Sequence, residues 1–199
     1  MTRLAALFAL LPLPAFAHHL MDRATPATLW EGFASGIGHP VIGADHLAFL
    51  LMAGVLAAML PAGRGLLAIL AFVVGGFLGS LAHVGGIGFG PVEALVALTV
   101  LAAGAALLRG VPGALLPAGF ALAGLVHGHA FAEAIIGAEP SPLLAYLGAL
   151  TLMQAAVGLG AMLLARRIAA AGHGPMLRRV AGAGGVAAGL LFLGASLLA

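Results

Sequence analysis

The chain has no cysteine and no lysine. Without thiols there is no disulfide, no thiolate zinc site and no iron–sulfur cluster, so any metal must be held by nitrogen, oxygen or thioether. Charge is scarce as well: 7% of residues are charged, against about 25% in a typical soluble domain. With 63% hydrophobic residues and a mean hydropathy of +1.19, a water-soluble globule is excluded. The eight basic residues are all arginine and form no patch of the kind that binds nucleic acid, so no nucleic-acid partner is expected. What remains is an all-α, polytopic helix bundle whose principal partner is the lipid bilayer.

Met1 to Ala17 carries one arginine, an apolar stretch from Leu4 to Leu13 and Ala15-Phe16-Ala17, the pattern of a cleavable signal peptide. An uncleaved short first helix is the alternative. Cleavage would start the mature chain, residues 18–199, at His18-His19, a pair with some capacity for a divalent cation. From Met21 to Gly38 the composition is mixed. Thr28 and Glu31 have capping-box spacing, and Trp30, Phe33 and Ile37 share one face of a short interfacial helix. Pro40 suits the first turn of the next helix, and Val41–Leu60 is about 20 residues, roughly 30 Å, enough to cross the hydrocarbon. Five further apolar spans follow, near Leu66–Val84, Val92–Leu108, Ala114–Ile136, Leu143–Ala165 and Met176–Leu198. Six transmembrane helices are therefore expected in the mature protein.

A signal peptide removed outside puts the mature N-terminus outside, in the periplasm of a bacterial inner membrane. The inner loops then hold Arg64, Arg109, Arg166, Arg167, Arg178 and Arg179, while Arg23, Glu93 and Glu139 stay outside. That is the positive-inside pattern at every loop.

This topology puts Asp45 and His46, near the start of the first span, at the same outer depth as His83 in the second and His127, His129 and Glu133 in the fourth. An ionisable group inside a membrane span costs about 2.5–3.5 kcal/mol on insertion scales, so such a cluster needs a task. Holding a metal ion is the candidate. His39 and His46 lie two turns apart and would share a face, although Pro40 leaves the direction of His39 open. Asp45 sits about 100° round from His46, placed to ligate or to orient an imidazole. His129 and Glu133 share a face, whereas His127 and His129 are about 200° apart, so both reach one ion only if Gly128 distorts the helix. Glu93 reads most simply as an acid at a helix N-terminus. Met52 and Met59 continue the Asp45 face, more as core than as a thioether path, and Gln154 is a polar interruption of the fifth span.

His39-Pro-Val-Ile-Gly-Ala-Asp45-His46, continuing through Phe49 to Gly54, resembles the first signature of the HupE/UreJ family. His127-Gly128-His129-Ala130 through Glu133 resembles its second. The resemblance covers the whole chain and implies a secondary permease for nickel, sometimes cobalt, that supplies metalloenzyme maturation. It carries His39, Asp45 and His46 over as metal-recognition residues with His127 and Glu133 as partners, and assigns no role to His83 or His129. No prosthetic group is implied, since Ni²⁺ or Co²⁺ is the cargo; a metal donor or acceptor protein and a homo-oligomer are compatible partners. Imidazole and carboxylate also suit zinc or copper, so geometry and availability rather than ligand type must select the metal. An inverted three-plus-three repeat is not supported, because inversion would move the first cluster to the inner end of the fourth span. Gly75-x-x-x-Gly79, Gly124-x-x-x-Gly128 and Gly185-x-x-x-Gly189 permit close helix contacts that could slide.

Two other classes stand as rivals. An enzyme reading lacks the His-Glu-x-x-His pattern, and Gly32-Phe-Ala-Ser35-Gly36 misses an intramembrane serine motif by one residue. A bis-histidine haem protein is the stronger rival, since imidazoles on facing helices ligate iron.

Overall fold

The computed structural model describes residues 24–88, 90–110 and 112–198. The signal-peptide reading and His18-His19 lie outside the described residues. Among those described there are seven α-helices and no strand: α1 (Leu29–Ile42), α2 (Ala44–Ala58), α3 (Ala62–Val84), α4 (Val92–Arg109), α5 (Leu116–Ala132), α6 (Pro140–Ile168) and α7 (Gly174–Leu198).

The first helix starts where the capping box was expected. Glu31 N–H donates to Thr28 Oγ1 at 3.2 Å, and the Glu31 carboxylate accepts from the backbone of Thr28 at 3.2 Å and of Ala27 at 2.8 Å. Trp30 and Phe33 stack at 5.7 Å on its exposed side, an aromatic anchor of the kind found at membrane interfaces. The helix does not stop at Gly38 to let Pro40 begin another. It runs through Pro40 to Ile42 and breaks at Gly43, whose extended ψ of 98° ends the helical run. The expected single span Val41–Leu60 is therefore two helices, α1 and α2, bent by 70°. Two causes combine: the capping box nucleates upstream, and Gly32 and Gly36 lie against the backbone of Pro142 and Tyr146, holding α1 on α6.

The other spans fall where the hydropathy put them. By length and composition Ala62–Val84, Val92–Arg109 and Pro140–Leu198 can each cross a membrane, with the bent pair as a fourth; α5 is a shorter apolar helix. The 59-residue stretch Pro140–Leu198 is not one rod. A π turn at Ala169–His173 contains Gly172 at φ +88°, a left-handed conformation that favours glycine, and the chain reverses there. Residues from both arms, among them Leu164, Ile168, Leu177 and Ala181, consequently line one cavity beside Met52. With the bent pair taken as one limb and this stretch as two, the described residues form six helical limbs. Helices α3 and α5 run parallel, with Gly75 against Ala121 and Gly79 against Leu125, and α7 runs antiparallel to α4, with Gly104 against Gly185 and Leu101 against Gly189.

This order gathers Arg64, Arg109, Arg166, Arg167, Arg178 and Arg179 at one end of the bundle and Asp45, Glu93 and Glu133 at the other. The Arg166 guanidinium donates to the Leu60 carbonyl at 3.1 Å, satisfying a backbone acceptor just past the end of α2. Outward faces are apolar: Leu67, Val74, Leu122, Leu144 and Leu152 are all more than half exposed. That pattern suits lipid and not water. Met52 is buried against Gly185, and Met59 is half exposed at the arginine end, so the two do not form a path.

Candidate metal centre

The bend at Gly43 brings the site together. His39, in the last turn of α1, and His46, in the first turn of α2, sit on two helices rather than on one face. Their rings meet edge to face with centroids 5.6 Å apart. A side chain at Gly43 would crowd this arrangement, since a Cβ there would lie 2.8 Å from the His46 ring. Asp45 is buried, and its carboxylate accepts the His46 N–H at 2.8 Å. An acid in the first turn of a helix is favoured by the local dipole.

His127 of α5 faces His46, Nδ1 to Nδ1 at 2.8 Å. Its other nitrogen lies 2.7 Å from Thr99 Oγ1, and that hydroxyl donates to the Val96 carbonyl at 2.7 Å. A hydroxyl has one proton to give. Because Thr99 spends it on Val96, His127 Nε2–H is the donor to Thr99, His127 Nδ1 is an acceptor, and His46 Nδ1–H donates to it. A second chain has the same logic. Tyr146 O–H donates to the Phe131 carbonyl at 2.6 Å, so the phenol oxygen accepts from His39 Nδ1–H at 2.7 Å. In the neutral rings both chains put the ring proton of His39 and of His46 on Nδ1. Fixing an imidazole's tautomer through its other nitrogen is how proteins prepare histidine to bind a metal.

The pair is enclosed by aromatic rings. Phe131 packs on His46 at 4.0 Å, Phe49 on His127 at 4.6 Å and Phe72 on His127 at 5.5 Å. Phe49 also stacks on Phe72 at 5.0 Å, forming a floor on the arginine side of the imidazoles.

Not all the expected residues converge. His39, Asp45, His46 and His127 do. His129 turns to the opposite side of α5 and meets His83 of α3, ring centroids 3.7 Å apart, as the 200° separation allowed. Glu133 is exposed at the end of α5 and does not continue the buried face of His129. It lies near Glu93, close enough for Asp45 and Glu133 both to repel the Glu93 charge. Glu93 thus belongs to an acidic rim around the site, beyond its simple role at a helix start. Among the described residues no group of three or more His, Asp and Glu side chains stands ready-made to hold a metal ion. Tyr146 and Thr99 were missed by the sequence reading. Their one signal is that Tyr146 is the sequence's single tyrosine and Thr99 the single hydroxyl residue of its helix.

The Tyr146→Phe variant isolates the second chain. It deletes the oxygen that holds His39 Nδ1–H and that donates to the Phe131 carbonyl, and loss of such an orienting partner typically costs 10–100-fold in metal affinity. Titration of the purified protein with a divalent transition-metal ion is expected to show its half-saturation shifted upward by about tenfold; an unchanged curve would remove His39 from the site.

A lipid-facing bundle that buries paired imidazoles and a carboxylate at one depth defines a polytopic membrane protein with a polar intramembrane centre. Residues 5–192 match the family described as HupE / UreJ protein. The chain belongs to that family, one of nickel- and cobalt-transport-related membrane proteins. No curated protein and no solved structure matches it.

Proposed function

We propose that the protein is a secondary permease that carries a divalent transition-metal ion, nickel or cobalt, inward across the bacterial inner membrane. The observation that carries this reading is the pair His46–His127, head to head at 2.8 Å beside the Asp45 carboxylate, with the His127 ring held from behind by Thr99. A cation arriving at the acidic rim of Glu93 and Glu133 would exchange waters for imidazole nitrogen and the buried Asp45 carboxylate. The arginines at the opposite end support an inward-facing cytoplasmic side and a periplasmic N-terminus.

The helices suggest how the ion passes. Helices α3 and α5 interlock along their glycines, and α6 holds α1 and α2 in the same way at Gly32, Gly36 and Gly54. His46 and His127 meet across the seam between these units. Rocking one unit against the other would part Phe49 from Phe72 and Phe120 and open the arginine side, while closing the acidic rim. The haem alternative is not favoured, because nitrogens 2.8 Å apart leave no plane for a porphyrin between them.

The test is uptake of radioactive nickel by cells producing the wild type or Asp45→Asn, with cobalt, zinc and copper as competitors. Wild-type cells should accumulate nickel above the background of cells lacking the protein, and Asp45→Asn at equal membrane abundance should not. Wild-type uptake at background, or displacement of nickel by zinc or copper but not cobalt, would overturn the assignment.

A further inference from the structure

The contact between His83 and His129 is not explained by the centre just described. It lies on the other side of α5 from His127 and joins neither hydrogen-bonded chain. Ring centroids 3.7 Å apart at 49° are closer than the 4.5–7 Å at which aromatic rings pack favourably. Nδ1 of His83 is buried and makes no hydrogen bond, whereas nearly all buried polar atoms in folded proteins have a partner. The helices cannot relax apart to hydrate it, because Ser80 Oγ donates to the Gly128 carbonyl at 2.7 Å and Gly79 lies against the Leu125 backbone. Two imidazoles are thus held in close, tilted contact by a rigid helix pair, and the His83 ring has an unmatched nitrogen.

We infer that His83 and His129 form a second, separate station for a divalent transition-metal ion, two imidazoles supplying nitrogen and water completing the shell. Imidazole pairs without thiolate suit nickel, cobalt, copper or zinc. Access is from the acidic end: His83 is half buried and the chain beyond it, Gly85 to Gly88, is exposed. An ion held there waits one helix width from His127, and this role as an antechamber rests on the permease reading. Binding itself does not.

The experiment is a nickel titration of the full-length protein in detergent, purified through a tag without histidine and carrying His18→Ala and His19→Ala, since adjacent histidines take up metal themselves. Two ions per chain are expected, falling to one in His83→Gln and in His129→Gln, and to one in His46→Gln. Unchanged stoichiometry and affinity in both His83→Gln and His129→Gln overturns the second station, and so does loss of all binding in His46→Gln. A single wild-type ion that disappears only in the His83 and His129 variants supports this station and sinks the His46 centre instead. Should His83→Gln fail to fold, the His46→Gln background is loaded with Cu²⁺ and its electron paramagnetic resonance spectrum recorded. Coupling to two equivalent nitrogens is the expected signature; coupling to one or none overturns the inference.

Discussion

Cells producing His46→Ala are expected to take up nickel at no more than about a tenth of the wild-type rate, because the variant removes a ligand rather than a residue that orients one, and orienting partners alone are worth 10–100-fold. The side chain is buried and joins α1, through its contact with His39, to α5, through His127. Its loss also leaves His127 Nδ1 as a buried acceptor with no donor, at a cost of about 1–3 kcal/mol. Stability and transport must therefore be separated. His46→Gln supplies an amide donor toward His127 and keeps most of the volume, but offers no imidazole nitrogen. Both variants should fail in transport, with His46→Gln nearer to wild-type abundance in the membrane. Wild-type rates in His46→Gln would mean that the ion does not pass this pair.

The parts of the fold that hydropathy encodes along one dimension were legible before the structure. Long apolar runs between arginine-bearing turns are local signals, and the limbs follow them, with ends shifted by a few residues: the span read from Leu143 begins at Pro140, and the one read from Leu66 begins at Ala62. The break at Gly43 was not legible in this way. Pro40 is equally at home at a helix start, and what carries α1 past it is the packing of Gly32 and Gly36 on α6, a contact more than a hundred residues distant in sequence. The division of His127 from His129 was legible because helical period alone fixes it. The supports of the site were not. Tyr146 reaches His39 across 107 residues and Thr99 reaches His127 across 28, and neither partner is written into the local pattern. Glu93 was read as a helix-start acid, which it is, but its position beside Asp45 and Glu133 depends on how α4 stands against α2 and α5.

The glycines between α3 and α5 give the second large effect, on folding rather than on transport. A Cβ at Gly128 would overlap the Gly76 carbonyl, and one at Gly124 the Phe72 carbonyl, with the same overlap in the other direction from Gly75 onto Ala121 and from Gly79 onto Leu125. The obstructing atoms are backbone, so no rotamer change relieves the clash; the helices must separate along the whole seam. In a membrane, where close van der Waals contact and interhelical hydrogen bonds hold helices together, separation also breaks the Ser80 to Gly128 bond. Gly128→Ala is expected to destabilise the protein by at least the 1–3 kcal/mol typical of overpacking. Thermal unfolding in detergent and membrane abundance should both drop, and uptake should fall with abundance. The contrast is Gly148→Ala on α6, where a Cβ meets nothing within 4 Å, and which should behave as wild type. If Gly128→Ala unfolds at the temperature of Gly148→Ala, the helices are not locked along these glycines, and the rigid unit that rocks against α1, α2 and α6 loses its physical basis.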